Sequence, residues 1–446
     1  PPSDGTLSMD WMLILTLMLG GLVFLLAIGL PVAFAFITVN VIGAYFILGG
    51  TNGLVQMARN ATSSVSNFQL APIPLFILMG EILFQSRVAH RAIDAIERIV
   101  MRVPGRLAVV TVFGGTIFSA LSGSTIANTA MLGSTLMPSM LKKGYHPTLA
   151  MGPIMASGAI AMLIPPSALA VLLGSLAGIS ISKLLVAGIL PAILLSVLFV
   201  ILIVTISILR PDLAPSDDPP AMTLWERWKP FCIYVLPLSG IFFVVIGSLL
   251  IGIASPTDAA ALGCLAAVLA SMAYRSLSLA NLGAALMETV KLTVMIMFII
   301  AASQTFSQIL SFSGATSGLI NLINGWDLTA LQVLIGMILL LLFLGCFIDQ
   351  VSMLMVTIPI FIPLARAMGI DELVLGVVYL LTMEIALLTP PFGLLLFVMR
   401  GVAPSTVRMK QIYAAVAPFL VIKLFVLTLV VAIPALGTWL PELISK

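Results

Sequence analysis

Uninterrupted apolar runs long enough to cross a membrane recur along this chain, and no other feature limits its fold so severely. Trp11–Leu30, Leu184–Leu209, Phe231–Ile253, Val290–Leu310 and Ile412–Leu436 are examples. A helix of about 20 residues spans a hydrocarbon core roughly 30 Å thick. Inside that core no water is present to satisfy backbone N–H and C=O groups, so a spanning segment is a helix or part of a closed barrel. Barrel strands alternate apolar and polar residues, and these runs do not. The fold class is therefore an all-α polytopic membrane protein. Composition agrees: 61% of the 446 residues are hydrophobic and 8% are charged, where a soluble domain carries roughly 25% charged residues. The lipid bilayer is the partner that this composition demands. The net charge of +3 gives no sign of nucleic acid. Cys232, Cys264 and Cys346 lie in apolar stretches without a Cys-x-x-Cys spacing and read as small buried side chains.

The chain also resembles itself. When 121–175 is set against the segment 225 positions later, Pro138 meets Pro363 and Gly144 meets Gly369. Leu163, Pro165 and Pro166 meet Leu388, Pro390 and Pro391, and Ser124 falls opposite Asp349. Shared prolines and glycines carry this alignment, because leucines match by chance in any membrane protein. Two related halves are expected, 1–210 and 211–446, joined by the polar linker 211–220. In the first half we expect an interfacial arm over 87–103, a re-entrant hairpin over about 106–142 and a broken helix over about 147–177. Their counterparts are an arm over about 277–288, a hairpin over about 328–367 and a broken helix over about 372–400. The first arm is amphipathic, with Val88, Ala92, Ala95, Ile96 and Ile99 on one face and Arg91, Asp94, Arg98 and Arg102 on another.

Cytoplasmic loops are enriched in Lys and Arg. Arg87, Arg91, Arg98, Arg102 and Arg106 precede the first hairpin and Lys142 and Lys143 follow it, so both its ends face the cytoplasm. No Lys or Arg occurs in 314–332, and Arg366 is offset by Asp371 and Glu372, so both ends of the second hairpin face outward. The halves come out as inverted repeats with the N-terminus outside; Arg59 and Lys183 fall on the wrong side of this count.

Paired, interrupted segments in two halves point to a binding site near the membrane midplane. Half-helix N-termini offer free N–H groups to a carboxylate, and C-terminal carbonyls suit a small cation such as Na⁺. Ser122, Ser124, Thr125 and Asn128 place hydroxyl and amide oxygens at the first tip, and Asp349 places a carboxylate at the second. Thr389-Pro390 has the pattern of an N-cap followed by Pro at the first helical position. The same residues would also serve as ordinary caps and breaks. Glu81 and Glu384 are further intramembrane acids, open to a structural or a solute-linked role, whereas Asp258, His90 and His146 read as solvated. No metalloprotease, phosphate-loop or Ser–His pattern is present, so neither an intramembrane enzyme nor a nucleotide-driven pump is indicated. A passive channel has no need of two broken hairpins. Energy must come from an ion gradient or from another chain.

Several of these motifs resemble the large membrane subunit, often called DctM-like, of TRAP (tripartite ATP-independent periplasmic) transporters. They are Gly29-Leu30-Pro31-Val32-Ala33-Phe34-Ala35, then Pro74-Leu75-Phe76-Ile77-Leu78-Met79-Gly80-Glu81, then Phe118 to Ala127 around Ser122-Gly123-Ser124. Ile164-Pro165-Pro166-Ser167, Phe343 to Asp349, and Glu384 to Gly393 continue the likeness in order. Thr382 stands where Asn is common in the family, Ala386 where Gly is, and Gln350 where Pro is. The resemblance implies an elevator mechanism and Na⁺ symport in the bacterial inner membrane. It also implies two partners, a small four-helix membrane subunit and a periplasmic substrate-binding protein. Together with the tip chemistry, it assigns Ser122, Ser124, Thr125, Pro166, Ser167, Pro391 and Asp349 to a small organic anion. Ser122, Gly123, Ser124, Asn128, Gly345, Asp349, Thr382 and Thr389 are assigned to Na⁺, and no organic cofactor is expected. The anion would be sialic acid, another sugar acid or a C4-dicarboxylate. The alternative is a self-sufficient ion-coupled anion transporter of similar design.

Overall fold

The computed structural model describes residues 10–86, 88–122, 124–214 and 222–444. All regular structure among them is helical, and seven helices are long and apolar enough to cross a membrane. Many large apolar side chains point outward, among them Phe46, Leu209, Phe243 and Val421. In water such a surface would aggregate; against lipid tails it costs nothing, because the solvent there is as apolar as the side chain. The same reasoning corrects the expectation for the cysteines: Cys232 is exposed and Cys264 and Cys346 are only partly buried. An apolar run in a membrane chain can face lipid, so apolarity does not predict burial.

The interval of 225 residues returns in the helix boundaries. Thr125–Lys142 is followed 225 positions later by Gln350–Ala367, and Pro147–Gly158 by Glu372–Ala386, which starts at the matching position. Arg106–Ser122 and Ala330–Leu344 precede them, and Ala168–Ala177 and Leu394–Val402 come after. Gly144 and Gly369 hold the left-handed backbone, φ 83° and 69°, that turns the chain out of the second helix of each pair. A side chain is disfavoured there and glycine is not. The peptide bonds Pro165–Pro166 and Pro390–Pro391 are both cis.

The chain divides into two compact units. One comprises 1–70, 291–337 and 349–372. Within it Phe36 meets Phe306 edge to face at 5.2 Å, and Asn40 Nδ2 donates to the carbonyl of Ala302 at 2.6 Å. The other comprises 71–290, 338–348 and 373–446. There the helix Pro147–Gly158 is enclosed by Arg106–Ser122, Thr125–Lys142 and Met409–Ala432, and from Leu149 onward every one of its residues is buried. Gly152 permits the approach, since a Cβ on it would lie 2.5 Å from the carbonyl oxygen of Ala415. The amphipathic segment forms a helix, Val88–Ile99, that buries Ala92, Ala95 and Ile96 and exposes Arg91, Asp94 and Arg98. Leu279–Phe312 is a single helix of 34 residues that runs through most of the expected arm 277–288.

Candidate functional site

At the first tip, Ser124 is the N-cap of Thr125–Lys142, its Oγ accepting from Ala127 N at 3.3 Å. A polar side chain there satisfies one of the donors that a helix start leaves open. Gly123 and the side chain of Ser122 lie outside the described residues. One turn on, Asn128 is fully buried; its Nδ2 donates to the carbonyl of Gly115 at 3.0 Å and to Ser119 Oγ. Ser119 Oγ donates in turn to the carbonyl of Ser157 at 3.1 Å. The two helices of the hairpin are thus tied to each other and to Pro147–Gly158. Asn128 Oδ1 accepts no hydrogen bond, although it is buried. An unmatched buried acceptor is costly, and its natural complement is a donor or a cation.

Thr125 connects the tip to the second broken helix: its Oγ1 donates to Glu384 Oε1 at 3.1 Å. Close packing accompanies the bond, because a Cβ on Gly158 would lie 2.1 Å from Thr129 Oγ1 and 3.4 Å from the carbonyl oxygen of Thr125. Pro147–Gly158 then stops, and the chain runs without regular helix through the first break, 159–167, until Ala168–Ala177 begins. Ser167 caps that helix, its Oγ accepting from Ala170 N at 3.2 Å, and Pro166 and Ser167 are both buried.

The second break, 387–393, separates Glu372–Ala386 from Leu394–Val402. Here the expected N-cap is corrected. Thr389 Oγ1 donates backwards to the carbonyl of Ile385 at 2.8 Å, and the cap of Leu394–Val402 is Gly393, with no side-chain bond. A threonine just beyond a helix can close the last turn behind it as readily as open the next one. Pro391 is exposed, and its carbonyl accepts from Tyr413 OH at 3.0 Å. Gly345 lies against Ala386, where an added Cβ would come within 2.3 Å of the alanine methyl. Cys346 Sγ stands 4.0 Å from the carbonyl of Thr389. Thr382 is buried and its Oγ1 donates to the carbonyl of Val378 at 2.7 Å. All these residues belong to one unit.

Asp349 belongs to the other unit. It is exposed and caps Gln350–Ala367, with Oδ2 accepting from Val351 N at 3.0 Å and Ser352 N at 3.3 Å, and Oδ1 from Ser352 Oγ. Ser124 and Asp349, opposite each other in the sequence alignment, therefore do the same local work. Of the other polar residues singled out, Glu81 is half-buried beside Gln85, and Asp258 and His146 are exposed.

With this geometry in view, the likeness to known proteins is specific. The family model described as the tripartite ATP-independent periplasmic transporter, DctM component, matches residues 19–436. The chain belongs to the DctM family of TRAP transporter large permeases. It is a transporter subunit and not an enzyme, and a multi-pass protein of the bacterial inner membrane. The ectoine TRAP transporter large permease TeaC of Halomonas elongata is 30% identical over 430 residues, covering 96% of this chain and 99% of that one. The C4-dicarboxylate permease DctM of Pseudomonas aeruginosa is 31% identical over 89% of this chain and 91% of its own. The sialic acid permease SiaM of Vibrio cholerae is 30% identical over 94% and 96%. Among solved structures, the Neisseria gonorrhoeae transporter MtrF matches with a TM-score of 0.64 at 14% identity, over 95% of this chain and 97% of that one. At that identity the match speaks for fold alone.

Sequence reasoning passed over Lys423, which is fully buried in the helix Met409–Ala432. The signal was present: a single cation within an otherwise apolar span is costly and rarely idle.

Proposed function

We propose that this TRAP permease imports a small carboxylate-bearing solute together with Na⁺, taking it from a periplasmic binding protein and working with a small membrane subunit. The observation that supports this reading is the recurrence, 225 residues apart, of two consecutive helices, the second with a side-chain cap, followed by a helix that breaks at a proline pair. Such breaks bring free helix ends to membrane depth, where N–H groups attract a carboxylate and carbonyls attract Na⁺. At the first tip and break, Ser122, Ser124, Thr125, Pro166 and Ser167 would meet the solute, and Ser122, Gly123, Ser124 and Asn128 would meet Na⁺. The orphaned Asn128 Oδ1 supports the cation assignment. In the second half Pro391 and Asp349 would meet the solute, and Gly345, Asp349, Thr382 and Thr389 would meet Na⁺. The halves act as inverted repeats, and the hairpins and broken helices travel together as the moving part of an elevator.

The solutes in the names of similar permeases are ectoine, C4-dicarboxylates, sialic acid and 2,3-diketo-L-gulonate. Each bears a carboxylate, which is the group a helix N-terminus recognises. The test is uptake by proteoliposomes holding the permease and its small subunit, with the cognate binding protein outside. Uptake should need both an inward Na⁺ gradient and the binding protein. Equal uptake after the Na⁺ gradient is collapsed sinks the coupling, and equal uptake without the binding protein favours a self-sufficient carrier.

A further inference from the structure

Glu384 and Lys423 are fully buried ionisable residues on two different helices, and both reach the same four residues of the first break. Glu384 Oε1 accepts from Met162 N at 3.0 Å and from Thr125 Oγ1 at 3.1 Å. Lys423 Nζ donates to the carbonyl of Ala159, the residue that ends Pro147–Gly158. The last carbonyls of a helix have no partner within it and carry the negative end of its dipole, so an ammonium suits that position. Carboxylate and ammonium lie near enough to act on each other electrostatically, and a buried charge without such a counterpart would be strongly destabilising. Glu384 Oε2 accepts no bond, so Oε1 alone makes the contact with the break. Glu384 also stands two residues before its own helix ends at Ala386. One side chain thus touches the first break and the first tip from the edge of the second break.

We infer that Glu384 and Lys423 are positioning residues: they hold the backbone of the first break, from its first carbonyl to the Met162 amide, in the shape that the solute site requires. Glu384 supplies the acceptor, and Lys423 supplies the charge that lets a carboxylate stay there. The inference rests on the reading of the first break as a wall of the solute site.

The test compares charge-neutral pairs by uptake kinetics and by hydrogen exchange of the amides over 159–164. E384Q and K423M should each impair uptake, since each strands one buried charge. E384Q/K423M should recover most of the uptake that either single variant loses, because no charge is stranded and the glutamine oxygen still accepts from Met162 N and Thr125 Oγ1, while only the donor to the Ala159 carbonyl is missing. E384L/K423M is equally neutral but offers no acceptor. It should need about tenfold more solute for half-maximal uptake, the scale of one lost positioning bond, and should lose amide protection over 159–164. E384M/K423M carries the same comparison if the leucine variant does not extract as monodisperse protein. Protection and affinity the same in the acceptor-free pair as in E384Q/K423M would overturn the inference. Lost protection with unchanged uptake would leave the positioning standing and would instead remove the first break from the solute site.

Discussion

Asp349 shows how a cap and a ligand can share one side chain. Its oxygens hold the first turn of Gln350–Ala367, yet a carboxylate has lone pairs to spare, and the group is exposed. Asparagine is an equally good cap, so Asp349→Asn should keep the helix while removing the charge. We expect assembly and extraction to be unchanged and the Na⁺ concentration for half-maximal uptake to rise by about tenfold, one charge–ligand contact's worth. Unaltered Na⁺ dependence would leave Asp349 as a cap only. Ser124 and Asp349 were legible as caps because each is a short polar residue at a break between two apolar segments. Thr389 misled because Thr-Pro does not fix which way the hydroxyl turns, and the distinction depends on φ and ψ that sequence does not reveal. Lys423 was hidden among its neighbours: one lysine barely lowers the hydropathy of Met409–Ala432, while its meaning lies in a carbonyl 264 residues away.

At the scale of elements, the broken segments were the most legible part, because Gly and Pro act through local backbone geometry. The helices Thr125–Lys142 and Pro147–Gly158 and their later counterparts begin within a few residues of the positions the motifs imply. The continuity of Leu279–Phe312 was not legible, since Glu288 and Lys291 resemble the charged edge of a span. If the tips act through the placement of their helix ends, their length matters more than their composition. Two glycines inserted before Ser124 should abolish uptake, although the protein still folds and extracts, because the Ser124 cap and the bonds of Asn128 shift together. Uptake above half of the unmodified rate would show that the tip tolerates displacement and does not form a site. Size-exclusion profile and transport, measured on the same preparation, separate this from misfolding.

For the whole molecule, family and fold class followed from patterns spread over hundreds of residues, whereas the way two units share the chain did not. One unit collects three separate stretches and so does the other, an arrangement set by tertiary packing that local signals cannot encode. Orientation remains an argument from charge. With the native cysteines replaced by alanine, Asn324→Cys should react with a membrane-impermeant maleimide added outside, and Arg102→Cys should react only after the membrane is opened. Both positions are exposed, so access to the compartment, and not burial, decides the result. The reverse pattern would invert the assigned topology. The helix Leu279–Phe312 bears on where the bilayer lies. Its 34 residues make a rod about 51 Å long at 1.5 Å per residue, against a hydrocarbon layer of roughly 30 Å. Even a tilt of about 40°, the upper end of what spanning helices adopt, leaves part of the rod standing clear. From Leu292 to Phe312 the rod is free of charge, and that stretch measures about 31 Å. Glu288 and Lys291 therefore mark the waterline on this helix, and the turns before them form a mast above it.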